Sequence, residues 1–298
     1  MPAYSMVVLV KQVPDTKNIT GEAMKEDGTV NRAALPAVFN PEDLNALEMA
    51  LQVRERYGGT VTVLSMGPPS AVEVLKDALY RGADRVFLIS DRSFAGSDTL
   101  ATSFALKQAI MTKLPGVDIV FCGRQAIDGD TAQVGPQTAE KLGFAQLTYV
   151  ESIESLDEKR IKVRKLIDDG SEIVEAPLPV LLTVTNTANE PRPYAAKLLL
   201  KYRKAATDFG LHELMPKYPR IKTPEELKEH LTSKGIYIEM WNAEDIGADP
   251  QQIGFAGSPT MVKKIESITL TGTGFKEIPS TDEGIKDFVA ELIEDHVW

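Results

Sequence analysis

The sequence predicts an α/β fold: a parallel sheet in its first half, then an antiparallel ribbon, then an extended C-terminal arm that ends in a helix. Three features carry this. Short β-branched apolar runs alternate with helix-patterned segments up to about Leu142, as parallel βαβ units require. From Thr148 the texture changes to apolar residues alternating singly with charged ones, the period-two signature of half-exposed strands. The last residues recover an apolar stripe at helical spacing.

In order, Ser5–Val10 is the first strand. Asn40 predicts a helix N-cap, with Pro41 at the first helical position and Glu42 and Asp43 in the first turn; Leu44, Leu47 and Leu51 stripe one face before Gly58 and Gly59 stop it. Thr60–Met66 is the second strand. Gly67, Pro68 and Pro69 turn the chain, and Ser70 with Glu73 predicts a capping box for a helix that ends at Gly82. Arg85–Ile89 is the third strand, followed by the loop Ser90–Ser97 and a helix from about Asp98 to Leu114. Asp118–Cys122 reads as a short buried strand, and a helix follows from about Thr131 to Leu142, stopped by Gly143. In the ribbon, Ile161, Val163 and Ile167 alternate with Lys162, Arg164 and Lys165, with Ser171–Val174 and Val180–Val184 as partners. A basic helix is expected over Ala195–Ala205. The polar stretch beyond it carries one helix candidate, Pro224–Leu231, and one strand candidate, Ile236–Glu239. Gly284–Trp298 closes the chain as a helix striped by Ile285, Phe288, Val289, Leu292 and Ile293. The boundary falls between a domain of residues 1–206 and an arm with its docking helix, residues 207–298.

Composition narrows the function. The 298 residues are 43% hydrophobic and 26% charged, with 33 basic against 43 acidic side chains, a net charge of −10. Such a chain repels nucleic acid and anionic lipid as a whole, so any phosphate it holds must be gripped locally. One cysteine, Cys122, excludes an internal disulfide, and His212, His230 and His296 lack metal-ligand spacing. No basic leader and no apolar run of membrane length is present, so the expected location is the cytoplasm, with no integral membrane segment.

In an open parallel sheet, ligands bind beyond the carboxyl ends of the strands, and the unusual residues fall in those loops. The first loop runs from Lys11 to Thr16, the second from Met66 to Pro68, the third from Ser90 to Thr99 and the fourth from Gly123 to Gly135. In the fourth, Gly123 and Gly129 free the backbone, and Asp130 or Thr131 is placed to cap the next helix. Two readings stay open for it: amides aimed at a phosphate, or an ordinary capped turn whose acids complement the helix dipole. The third loop offers the hydroxyls of Ser97, Thr99 and Thr102 beside Gly96 and Arg92, against the alternative of a solvated loop capped by Asp98. Lys11 is either a phosphate partner or a solvated lysine, and Asp128 and Asp130 either hold ribose hydroxyls or cap. Cys122 reads as a buried inert thiol. With a crevice and no evident acid, base or nucleophile, a bound cofactor is expected to carry the reactivity.

Taken together, VKQVPDT from Val10, NPEDLNALEMAL from Asn40, MGPP from Met66, GADRV from Gly82 and GRQAIDGDTAQVGP from Gly123 resemble, in order and spacing, the beta subunit of the electron transfer flavoproteins. The resemblance runs from Val7 to about Ala205, with a looser match in GSPTMV from Gly257 and in the terminal helix. It implies a parallel-sheet adenine-nucleotide-binding fold, an alpha-subunit partner and FAD chemistry at the heterodimer. In one branch of that family the beta subunit buries AMP as a structural piece. In the electron-bifurcating branch it holds a second FAD, which accepts hydride from NADH and sends one electron through the alpha-subunit FAD to an acyl-CoA dehydrogenase or similar enzyme, the other to ferredoxin or flavodoxin. SDRSFAGSDTLATS from Ser90 and DGDTAQVGP from Asp128 resemble the bifurcating branch. A nucleotide-binding regulatory protein of similar architecture is the reading outside the family.

Carried over by position, the resemblance implies that Leu9, Lys11, Asn40, Asp43 and Met66 frame the adenosine. Gly123, Arg124, Gln125, Ala126, Ile127, Asp128, Gly129, Asp130, Thr131, Ala132, Gln133 and Val134 would surround ribose and phosphate, and Ser97, Thr99 and Thr102 would meet the diphosphate. NEPRPYAAKLLL from Asn189 resembles the family's recognition loop for the dehydrogenase, with Pro193 as an insertion and Lys197 beside Leu198. The terminal helix is expected to dock on the alpha subunit.

Overall fold

A computed structural model describes residues 4–15, 36–260 and 277–294. Thr16, Met261, Val262, His296 and Trp298, all used in the sequence reading, lie outside the described residues. The chain divides into two compact units, Met1–Met261 and Val262–Trp298.

The first unit is built on one nine-stranded sheet. β1 (Ser5–Val10), β4 (Thr60–Met66), β5 (Arg85–Ile89), β6 (Ile119–Gly123) and β10 (Val180–Val184) are its parallel centre. β7 (Ala145–Leu156) joins β10 in parallel and then pairs antiparallel with β8 (Arg160–Ile167), which pairs with β9 (Gly170–Pro177). β11 (Glu239–Trp241) adds to β5 at the other edge, giving the order β11-β5-β4-β1-β6-β10-β7-β8-β9. The chain winds outward from β1 to β4 and β5, then returns to the far side of β1 to lay down β6. That reversal makes the carboxyl ends of β1 and β6 the switch point where such sheets bind ligands. A short antiparallel pair, β2 (Gln12–Pro14) with β3 (Ala37–Phe39), leads into the first helix.

Helices cover both faces, so the central strands are buried apolar runs rather than alternating ones. On one face α1 (Pro41–Tyr57), α2 (Val72–Arg81) and α5 (Ala196–Tyr202) pack with Met6, Val8, Val63, Phe121 and Leu182; on the other α3 (Thr99–Lys113) and α4 (Val134–Leu142) pack with Val7, Leu9, Leu64, Val120 and Leu181. α6 (Leu211–Leu214) and α7 (Pro224–Ser233) follow α5, and Leu227 and Leu231 of α7 are wholly buried in the first core.

Four expectations needed correction. Val180–Val184 lies inside the parallel sheet between β6 and β7, because all five residues are buried and only a two-faced position hides such a run. The capping box does not form: the Ser70 hydroxyl is drawn to Gln12 Oε1 at 3.1 Å, and a 3₁₀ turn over Pro69–Ala71 precedes α2. α4 begins at Val134 rather than Thr131, since Asp130 and Ala132 sit at φ 54° and 53°, where no helix continues. The strand expected at Ile236–Glu239 is β11, two to three residues later, with Trp241 stacked on Phe87 at 4.3 Å between ring centroids.

The first part of the C-terminal arm is folded. Ile236, Ile238, Trp241, Ile246 and Ile253 are buried, and the first unit therefore runs well past residue 206. In the second unit, α8 (Asp282–Glu294) exposes Ile285, Phe288 and Ile293. Among the described residues no helix is long and apolar enough to cross a membrane.

Candidate functional site

The rim at the switch point is assembled by the first turn of α1. Asp43 is buried, and its two carboxylate oxygens accept from the backbone N–H groups of Lys11 (2.8 Å), the residue after β1, and Gly123 (2.9 Å), the last of β6. A Cβ at position 123 would stand 2.6 Å from Asp43 Oδ1, so glycine is needed for this approach. Burial pushes the Asp43 carboxyl up to about 7, against the opposing pull of hydrogen bonds from Gly123, Asn40 and Lys11. Glu42, also buried, accepts from the Gln125 N–H at 3.0 Å and holds the Arg124 guanidinium at 2.9 Å. Asn40 sits at the N-cap position but makes no side-chain cap bond. Its amide instead donates to Gln125 O (2.9 Å) and accepts from the Ile127 N–H (3.1 Å). Thus Asn40, Glu42 and Asp43 clamp the start of the fourth loop onto the ends of β1 and β6. Lys11 closes the arrangement with both Asp128 oxygens 2.8 Å from its Nζ.

Beyond the clamp the loop rises to the N-terminus of α4. Asp130 N–H bonds to Ala126 O, and Gln125 Nε2 donates to the Asp130 carboxylate. The next N–H groups, Thr131 to Val134, have no hydrogen-bond partner among the described residues. Ala132 is left-handed at φ 53° and Gln133 is right-handed at φ −97°, ψ −32°. Such an alternation turns successive amides inward as a concave anion cradle, and the α4 dipole adds its positive end. These donors fit a phosphate oxygen set, with the Lys11 ammonium and the carboxylates of Asp128 and Asp130 beside them for hydroxyl groups. A nucleotide phosphate is therefore compatible with the residues present.

The third loop is differently engaged. Asp98 caps α3 by accepting from the N–H groups of Leu100 (2.9 Å) and Ala101 (3.0 Å), and its other oxygen accepts from the N–H of Thr260 at 3.1 Å and from that residue's hydroxyl. Burial would raise its carboxyl, but these bonds hold it below the usual range. Ser97 donates to Phe94 O at 2.8 Å and accepts from Gly254 N–H at 3.0 Å. Thr99 donates to Gln133 Oε1 at 3.0 Å, which ties the start of α3 to the start of α4. Thr102 follows one turn later, partly buried. The segment Gly254–Thr260 was invisible as a site neighbour in the sequence, since nothing local signals a contact across 160 residues.

Known proteins bear on this rim. Residues 27–207 match the family model described as the electron transfer flavoprotein domain. The chain is 42% identical over 292 residues to the electron transfer flavoprotein subunit beta of Clostridium acetobutylicum, covering 98% of this chain and 99% of that one. It is 38% identical over 294 residues to the caffeyl-CoA reductase-Etf complex subunit CarD of Acetobacterium woodii, again over 98% and 99%, and 40% identical to the protein FixA of Sinorhizobium fredii, over 97% and 92%. The chain belongs to the electron transfer flavoprotein beta-subunit family.

The flavoprotein match contains Asn40, Asp43, Met66 and the third and fourth loops, while Leu9 and Lys11 precede it. The structure brings Lys11, Asn40, Asp43 and Gly123 to Gln133 into one connected rim and joins Thr99 to it through Gln133. Leu9 is buried inside β1, paired with Leu64 on one side and Cys122 on the other. Met66 ends β4, half-buried on the α3 and α4 side. Asp43 has both oxygens committed to backbone, so it shapes the rim rather than facing it. Cys122 is buried and its thiol is pushed up by burial, as an inert group should be. Glu42 is an addition to the clamp that sequence reasoning missed. Glu42 reads as a dipole-complementing acid, and its partners Arg124 and Gln125 lie 82 and 83 residues away.

Proposed function

We propose that the chain is the redox subunit of an electron transfer flavoprotein heterodimer whose rim holds the adenosine phosphate portion of FAD. The observation that carries the reading is the run of unpartnered amides from Thr131 to Val134, with Ala132 left-handed and Gln133 right-handed, beside Lys11 at the switch point. A subunit with a net charge of −10 must hold phosphate through oriented local donors, and this run supplies them. Lys11 adds a cation, Asn40 and Glu42 fix the loop, and Asp43 holds the two strand ends at a constant spacing. Thr99, linked to Gln133, borders the cradle where a second phosphate of a dinucleotide would lie. FAD, when bound, supplies a centre that takes two electrons as hydride and passes them on singly. In this reading NADH is the donor, and the electrons leave by the alpha-subunit FAD to an acyl-CoA dehydrogenase or related enzyme and to ferredoxin or flavodoxin, in the cytoplasm. The relative named as a subunit of a caffeyl-CoA reductase complex supports a dehydrogenase-class partner.

One observation favours AMP as a structural piece instead: Asp98 fills the α3 N-terminus with its own carboxylate, leaving one free amide cluster, which suffices for one phosphate. Cofactor quantitation on the purified heterodimer decides between them. Two FAD per heterodimer with ferredoxin-dependent NADH oxidation supports the proposal, and one FAD with one AMP replaces it.

A further inference from the structure

Tyr149 carries a feature that stability does not explain. Only three non-glycine residues have positive φ among the described residues: Asp130 and Ala132 in the cradle loop, and Tyr149 at φ 58°. All three lie at the same end of the sheet. Tyr149 reaches its conformation through a bulge in β7, where Leu147 to Val150 run opposite Leu182 to Val184 of β10 with one residue to spare. Bulges of this kind bend a strand and re-aim a side chain, and they concentrate next to binding sites. The bulge is fixed rather than slack, because Tyr149 N–H donates to Thr183 Oγ1 at 3.1 Å. Tyr149 is 41% exposed, with the Arg124 guanidinium 5.7 Å from its ring centroid. Arg124 is in turn held by the buried Glu42, which also binds the fourth loop through Gln125. For a bulky aromatic, left-handed backbone costs more than one exposed cation–π contact returns. A glycine at this point would serve the bulge better.

We infer that Tyr149, braced by Arg124, is a stacking residue for a planar heteroaromatic ring of the adenylate-bearing ligand, and so a binding position on this rim additional to the cradle. This rests on the adenosine phosphate reading of the rim. Aromatic stacking of a base or flavin tolerates any ring with a π face, so the ring concerned is either the adenine or the isoalloxazine.

The test is equilibrium binding of AMP and of FAD, separately, to the full chain purified with its alpha subunit and stripped of adenylate, for wild type, Tyr149→Gly and Tyr149→Phe. Tyr149→Gly is expected to melt at or above the wild-type temperature while binding FAD about tenfold more weakly, and Tyr149→Phe to bind as wild type does. Loss with FAD alone assigns the stacked ring as isoalloxazine, and equal loss with AMP and FAD assigns it as adenine. If Tyr149→Gly binds both ligands with wild-type affinity, the inference is overturned while the cradle reading stands. If the wild-type protein binds neither ligand, the cradle reading falls and takes this inference with it.

Discussion

Replacing Asp43 with alanine tests whether one buried carboxylate holds the rim together. In the structure its oxygens satisfy the N–H groups of Lys11 and Gly123, and both would lose their partner, the Gly123 donor in a buried position and the Lys11 donor in a part-buried one. An unsatisfied buried donor costs about 1–3 kcal/mol, which applies in full to Gly123 and in lesser part to Lys11, so the variant should lose about 1–4 kcal/mol at neutral pH. Asp43→Asn keeps one acceptor oxygen and should lose about half of that. The pH dependence gives an independent signature. A carboxyl raised from the usual 3.8 to about 7 binds its proton more tightly in the folded chain, so its stabilising effect is complete below about 3.8 and is lost as pH rises to about 7. The full swing is on the order of 4 kcal/mol, an upper bound, and Asp43→Asn should remove it. Urea unfolding of wild type and both variants, followed by circular dichroism at several values between pH 4 and pH 8, reads both effects. An Asp43→Ala protein within about 0.5 kcal/mol of wild type at pH 7 would refute the clamp, since surface substitutions alone produce changes of that size. A wild-type slope that survives in Asp43→Asn would assign the titration to another group.

Lys11→Ala should leave stability within about 1 kcal/mol, because its pair with Asp128 is half-exposed, yet weaken AMP binding to the heterodimer about tenfold; equilibrium dialysis and thermal melting on one preparation separate the two effects. Arg192→Ala should cost about 3 kcal/mol in urea unfolding, because it strands the buried Glu48 carboxylate that accepts from its Nε at 2.7 Å and frees the segment after Asn189 from α1; a loss no larger than that of Glu55→Ala, whose carboxylate is exposed, would sink this reading.

The sheet was legible because the parallel strands are buried on both faces, and Ser5–Val10, Thr60–Met66 and Arg85–Ile89 are apolar runs that no other position accommodates. The helix ends at Gly82 and Gly143 were legible for a local reason, both glycines being left-handed. What escaped the sequence was every place where a distant partner outcompeted a local one. Asn40 and Ser70 have the chemistry of caps, but Gln125, Ile127 and Gln12 claim their side chains. The strained run through Asp130 and Ala132 delays α4, and no propensity marks alanine for left-handed backbone. The glycines and acids of the fourth loop mark in the sequence a place where ligand chemistry is possible; which of its amides lack partners is a property of the folded chain alone.

The same competition explains how the rim is divided between rigid and open parts. Each polar group in the first turn of α1 is consumed by backbone: Asp43 by two strand ends, Glu42 and Asn40 by the first residues of the loop. Had the two carboxylates of Glu42 and Asp43 been left free, their negative charge would oppose a phosphate held by the neighbouring amides. Tied down, they hold amides in place and present little charge outward, with the Glu42 charge further offset by Arg124. The groups left without a partner among the described residues are the N–H run from Thr131 to Val134, while Lys11 is paired with Asp128 of the same loop. On the proposed reading, an acidic protein makes room for a phosphate by engaging its carboxylates with its own backbone and leaving a run of amides unpartnered.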